Sequence, residues 1–408
     1  MKYQSLLYVS GVLCLLMGLA ACQKEDGNDP SNNSASSDEY LAGEMVNVGV
    51  NAFSAKKLFV LNEGGMGSNN ATLDILDLQT GRYVRDAYGK MNPEIPLGLG
   101  DVANDIALYD GKLWIVVNNS GIVEVVNPEN ERHIATIAVP TPRNIAFHGD
   151  YAYVSSWNGA AAVYGDDWSV DPAQSKNPKG AVYKIDIKNY KVVGSVEVGY
   201  QPEGLAVSKG RLFVANSGGI ACSLPPDYSY DNTLSVIDLN GFFVTKTLTV
   251  APNLKNVYAA PDGNVFVTTL GNYYDVHSGM YWIRNESLVG RVGEGSDIAC
   301  NVSVPTLDAD GFFWAIGNDT EFDWSATSHE WYLWSFNART GAAVSWNPDF
   351  VFSGSVPYGL CLDGASLFVA DAGDYFNPGT LSLYAADSGE KLWTVTAGVC
   401  PAHFAVLK

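Results

Sequence analysis

The chain is 408 residues long, carries a net charge of −20, and is 47% hydrophobic, 12% aromatic and 17% charged. That length exceeds most single cores but suits one large all-β domain, and an acidic balance with no basic patch argues against nucleic acid or anionic lipid as a partner. Abundant Tyr and Trp favour strands, and 41 glycines favour turns.

Lys2 precedes an apolar run from Leu6 to Leu19, too short to span a bilayer comfortably, which ends in Leu19-Ala20-Ala21-Cys22. This looks like a bacterial lipobox, so residues 1–21 read as a signal peptide and Cys22 as the lipidated residue. An ordinary cleaved signal with a chance cysteine is the competing reading. Gln23-Lys24-Glu25-Asp26 resembles the acidic signal that sends Bacteroidota lipoproteins to the outer cell surface. From Gly27 to about Gly43 the chain is rich in Asn, Ser and Asp, which predicts a disordered tether. Residues 22–55 are therefore assigned to the anchor and a mostly flexible tether, and 56–408 to the folded domain. No second hydrophobic segment is long enough to cross a membrane.

A seven-residue pattern then recurs. It reads Thr-Pro-Arg-Asn-Ile-Ala-Phe at 141–147, Gln-Pro-Glu-Gly-Leu-Ala-Val at 201–207, Val-Pro-Tyr-Gly-Leu-Cys-Leu at 356–362 and Cys-Pro-Ala-His-Phe-Ala-Val at 400–406. Each copy reads as the start of the same strand, and such self-similarity marks a repeat architecture. In the unit that begins at Pro202, Lys209-Gly210 turns into Arg211–Asn216, and a loop leads to Thr233–Leu239. Asn240-Gly241 then turns into Val244–Val250. Period-2 apolar runs between turn residues predict four antiparallel strands, a to d.

Strand a is traced near Asn104, Asn144, Gly204, Asn256, Asn301 and Gly359, and a seventh lies around His403. The first unit lacks one and opens directly on Leu58. These complementary ends predict a ring in which residues 401–407 complete the blade begun at 57–88, removing the exposed edges of an open array. The expected fold is all-β: a seven-bladed β-propeller of four-stranded blades. A solenoid is the alternative, but it needs caps and leaves the two ends unexplained.

Beyond Cys22, the cysteines at 222, 300, 361 and 400 form no Cys-x-x-Cys pair, which argues against zinc. Cys361 stands where other repeats have Ala146, Ala206 and Ala405, and reads as a small buried residue. The state of Cys222, Cys300 and Cys400 is left open.

In a four-stranded blade, strand a lines the central channel and starts on the face that also carries the loops between strands b and c. Those loops are expected near Asn62–Ala71, Asn118–Gly121, Trp157–Gly180, Ser217–Asn232, Leu270–Ser278, Gly317–Glu330 and Ala372–Gly379. Turns on the opposite face, such as Gln79-Thr80-Gly81, are short. Long loops on one end of a rigid scaffold usually carry function. They hold Trp157, Tyr164, Trp168, Tyr228, Tyr230, Tyr273, Tyr274, Phe322, Trp324, Tyr375 and Phe376, interleaved with amides such as Asn119. Asp105, Arg143, Asn144, Glu203, Asn256, Asn301, Tyr358 and His403 are expected to line the channel mouth. Rigid aromatics with amides and few charges suit a large neutral ligand. The plainer alternative is that the aromatics only pack the loops together.

A hydrolase needs a nucleophile with a base in reach, and His403 is the only histidine expected at the mouth. His133 and His148 fall on the far side, His277 and His329 lie in loops, and no two histidines share a metal-ligand spacing. The expectation is a non-enzymatic protein without metal or cofactor. Asp166, Asp167, Asp319 and Asp323 offer calcium ligands, against the simpler reading of solvated acidic loops.

The run Leu58-Phe59-Val60-Leu61-Asn62-Glu63-Gly64-Gly65, with Ser68-Asn69-Asn70-Ala71 and Leu73-Asp74-Ile75-Leu76-Asp77 after it, resembles the start of YncE-like propeller lipoproteins of Bacteroidota. The Pro202–Val207 repeat fits the same family, and the resemblance covers about 56–408. It implies a propeller exported to the cell surface and held there by a lipid anchor. One type within the family, BtuG, captures cobalamin and sits over the outer-membrane transporter BtuB. Similarity to that type implies a corrinoid (vitamin B12) bound on the loop face and a TonB-dependent transporter of the BtuB type as partner. A corrin is wide, flat and fringed with amides, which aromatic and Asn side chains would match. The resemblance carries over the face and no individual residue. Sugar rings stack on the same aromatics, so a glycan-binding role in polysaccharide uptake is one alternative, and a protein docking platform is another.

Overall fold

Strand b of the first unit, Lys57–Asn62, sends Leu58 and Val60 to one side and Phe59 and Leu61 to the other, and all four are fully buried. A strand that is apolar on both faces has to be packed from both sides. The molecule repeats this solution around a ring.

A computed structural model describes residues 43–49, 53–159, 179–218, 230–272, 275–292, 301–307, 312–318, 330–338, 344–353 and 357–408. Their strands form seven antiparallel sheets. The inner strands are Pro401–Leu407 in blade 1, Ala103–Tyr109 in blade 2, Pro142–His148 in blade 3 and Pro202–Ser208 in blade 4. Leu254–Ala259, Asn301–Leu307 and Pro357–Asp363 follow in blades 5 to 7. Blades 2 to 7 are consecutive four-stranded meanders. The seven-bladed propeller expected from the repeats is the observed fold.

Seven apolar clusters hold it together, one at each seam between neighbouring blades. Phe59 and Leu61 meet Ile106, Ile115 and Val117 between blades 1 and 2, while Leu58 and Val60 meet Phe368 and Leu381 between blades 1 and 7. Each such side chain contributes about 1.5–3 kcal/mol of burial energy. Because the seams are separate, every blade depends on two neighbours and the ring has no free end.

Closure takes the form read from the chain ends. Pro401–Leu407 pairs antiparallel with Lys57–Asn62, so the last strand becomes the inner strand of the first blade. A buried Asn62 reinforces this seam: its Oδ1 accepts from Gly398 N at 3.1 Å, and its Nδ2 donates to Thr72 Oγ1 at 3.0 Å. Asn216 makes the equivalent bonds between blades 3 and 4, to Gly199 N and Thr233 Oγ1.

Two features depart from the repeat. Glu44–Met45 adds a fifth strand to the outer edge of blade 1 by pairing with Arg82–Val84, and Phe53 and Ala55 then bury themselves against blades 1 and 7. A five-residue helix, Ala87–Met91, interrupts the connection from blade 1 to blade 2. Asp86 caps it, its Oδ1 accepting from Gly89 N at 3.1 Å. A single helical turn is too short to show a helical period, so its residues carry no sign of it. Of the segment from Gly27 to about Gly43 that reads as a tether, residues 27–42 lie outside the described residues, as does Cys22.

Candidate functional site

The loop face is organised by a backbone device that recurs from blade to blade. The residue before the inner strand has a left-handed backbone in five blades: Val102 (φ 58°), Thr141 (37°), Gln201 (42°), Asn253 (57°) and Cys400 (52°). A β-branched residue rarely adopts this region, and such strain, about 1–3 kcal/mol each, persists only where surrounding bonds enforce it. Here the enforcing bond is visible. The carbonyl of each strained residue accepts the N–H of the first residue of the adjacent b–c loop. The pairs are Asn118 to Val102 (2.7 Å), Trp157 to Thr141 (3.2 Å), Ser217 to Gln201 (3.1 Å), Leu270 to Asn253 (3.0 Å) and Glu63 to Cys400 (2.9 Å). Every one of these loops is thereby stapled over the channel at its root.

A second recurring device lies just inside. Each of the seven inner strands holds one more residue than its partner near its start, at Asn104, Arg143-Asn144, Glu203-Gly204, Lys255-Asn256, Ser303, Tyr358 and Ala402. A β-bulge re-aims side chains, and bulges are common at barrel rims and beside sites. Proline opens four of these strands, where a missing N–H costs no ladder bond.

The re-aimed side chains meet across blades in two groups. In the first, Arg143 donates to Glu203 Oε2 from Nε at 3.1 Å and from a terminal nitrogen at 3.0 Å, and also to Asn104 Oδ1 at 2.8 Å. Lys255 Nζ donates to the same Glu203 oxygen at 2.9 Å. Burial alone would raise the Glu203 carboxyl, but Arg143 and Lys255 outweigh it and hold it below its ordinary value. The Trp157 ring lies 4.5 Å from the Arg143 guanidinium, a cation–π contact.

In the second group, Glu63 accepts from Tyr358 OH at 2.8 Å and pairs with His403 Nε2 at 3.0 Å. Burial opposes ionisation of Glu63, yet His403 and Tyr358 together hold its carboxyl below the usual value. Burial, reinforced by the Glu63 charge, pushes the Tyr358 phenol well up, so it remains a donor. Tyr375 meets Tyr358 edge-on with centroids 5.5 Å apart. Asp105 lies near His403 and accepts from Ile145 N and Ile106 N, each at 2.9 Å. Burial dominates there and raises its carboxyl.

Of the residues expected to bind ligand, Arg143, Asn144, Glu203, Asn256, Tyr358 and His403 lie on inner strands, and Trp157 opens a b–c loop at its staple. Arg143 and Glu203 are buried and neutralise each other, so they form the floor. Asn119 and Phe376 lie in b–c loops; Asn119 donates to Asp101 at 2.6 Å, and Phe376 is 56% exposed. Tyr230 is half-buried on the blade 4 loop. Tyr164, Trp168, Tyr228, Tyr273, Tyr274, Phe322 and Trp324 lie outside the described residues, as do Asp166, Asp167, Asp319, Asp323, His329, Cys222 and Cys300. Cys361 packs partly against the seam of blades 1 and 7, where burial raises its thiol to about 12.

Sequence reasoning missed Glu63, Lys255 and Asn104. Lys255 and Asn104 occupy the same bulge as Arg143 and Glu203, but their strands open on Leu254 and Ala103 where the pattern has Pro. Glu63 is the first residue after strand b, a position whose role emerges only from the staple.

No protein-family model matches the chain, and no curated protein matches it. Solved structures do. A hypothetical selenium-binding protein from Sulfolobus tokodaii superposes with a TM-score of 0.59 at 11% identity, over 86% of this chain and 93% of that one. A quinonprotein alcohol dehydrogenase-like protein from Bacteroides thetaiotaomicron gives 0.55 at 14% identity, over 87% and 79%. Hydrazine synthase of Kuenenia stuttgartiensis gives 0.55 at 15% identity, over 74% and 88%. At such identities the likeness is one of fold alone, and a fold does not fix a function.

Proposed function

We propose that this chain is a non-enzymatic, lipid-anchored surface protein that captures a corrinoid on its loop face and passes it to an outer-membrane transporter of the BtuB type. The observation that carries the reading is the stapled, bulged channel mouth. Five loop roots are fixed by backbone bonds, and the floor between them is built from hydrogen-bonded polar groups. Trp157 and Tyr375 pack onto that floor, against Arg143 and Tyr358. Such a pre-organised face suits a wide, flat, amide-fringed ligand, because little side-chain freedom remains to be lost on binding. The resemblance to YncE-like surface lipoproteins supports the anchor and the partner.

Calorimetric titration of the full-length protein in detergent with cyanocobalamin tests this directly. Saturable binding at micromolar ligand or tighter is expected, and no heat and no binding at that concentration would sink the reading. Exposed Phe376 and Tyr200, 56% and 40% accessible, favour a second reading, in which sugar rings stack on the rim. An oligosaccharide array response lost in Phe376→Ala would establish that alternative.

A further inference from the structure

One oxygen of Glu203 at the channel mouth is shared by two cations, Arg143 and Lys255. Glu63, a second carboxylate at the mouth, is bonded by Tyr358 and His403 and also feels the Lys255 charge. The two cations are not equivalent. Arg143 is buried, its side chain only 11% exposed, whereas that of Lys255 is 35% exposed. An ammonium has three donors, and one of those on Lys255 goes to Glu203. What the floor offers a ligand is therefore the Lys255 ammonium, held in place by a buried carboxylate. His403, with a side chain 30% exposed, shares the mouth with it.

We infer that Lys255 is an anion-recognition residue that takes a phosphodiester oxygen of the bound ligand. This deepens the corrinoid reading and rests on it, since a cobalamin carries one phosphodiester in its nucleotide loop. The arrangement suits a singly charged, acceptor-only group: one charge-assisted bond, oriented from below and partly sheltered from water. A carboxylate at the Lys255 position or a fully exposed ammonium would not select for it. Glu203 acts as a positioning residue and Lys255 makes the contact.

The test compares cyanocobalamin with cobinamide, the same corrin without nucleotide or phosphodiester, on full-length protein in detergent. Wild type should bind cyanocobalamin about tenfold or more tightly than cobinamide, the scale of one charge-assisted hydrogen bond. Lys255→Met should bring that ratio close to one by weakening cyanocobalamin alone, and Lys255→Arg should keep most of it. Added salt should erode the ratio in wild type and not in Lys255→Met. A ratio unchanged by Lys255→Met, with corrinoid binding intact and the variant melting like wild type, overturns the inference and leaves the corrinoid reading standing. If neither corrinoid binds, dimethyl phosphate becomes the probe. Lys255-dependent broadening of its phosphorus resonance would support the anion site while the corrinoid reading fails, and no broadening would overturn both.

Discussion

Glu203 keeps its charge while almost sealed from solvent because two cations meet the same carboxylate oxygen. Removing one member of a buried pair leaves the other uncompensated, so Glu203→Gln should cost about 3–5 kcal/mol of stability. Urea denaturation followed by tryptophan fluorescence measures this. The same pair sets an acid limit. Glu203 and Glu63 both have carboxyls held below their usual 4.5, so the stability they contribute is complete above that pH and drains away as pH falls through their folded values. Asp105 and Glu124 act in the opposite sense, because burial raises their carboxyls and protonation favours the folded state. Below about pH 4.5 the melting temperature of Glu203→Gln should therefore lose less per pH unit than that of wild type, because one of the two depressed carboxyls is gone. Parallel curves for the two proteins would show that Glu203 is not part of that limit.

At the scale of the strand, the Pro-led repeat was readable because four inner strands share it. The bulge inside the repeat was not. Which of two adjacent residues turns toward the channel depends on how many residues the neighbouring strand offers, and one strand's sequence does not contain that count. Lys255 shows the consequence: Asn256 beside it fits the pattern, yet Lys255 makes the charged contact. Two substitutions test the element-level picture. Asn62→Ala removes the bonds to Gly398 and Thr72 and leaves Gly398 N with Asp74 as its acceptor, at a cost of about 0.5–1.5 kcal/mol. Hydrogen exchange should show the loosening first at the seam of blades 1 and 7. Gly359→Ala would drive a Cβ into the Ala402 carbonyl oxygen, so neighbouring inner strands must separate there. A loss of about 1–3 kcal/mol in denaturant stability is expected, with no change in the far blades.

For the whole molecule, the ring and its closure were legible because a missing first strand and a surplus last one are complementary. The final strand is the inner wall of blade 1, so a chain ending at Val399 would leave Lys57–Asn62 with an open edge and two seams without their lining. Such a truncation should abolish the single cooperative calorimetric transition instead of shifting it slightly. The departures from the ring were illegible for the opposite reason: each occurs once. Neither the short helix Ala87–Met91 nor the added strand Glu44–Met45 has a repeat to betray it. That added strand has a mechanical consequence. From Gly43 the chain is held to blade 1 by the two residue pairs of Glu44–Met45 and by Val46 N to Gly81 O, then by Phe53 packed with its ring 5.7 Å from that of Phe368. Tension applied at Gly43 would peel these contacts one after another before it reached Lys57. The strap would act as a fuse, yielding before the ring did.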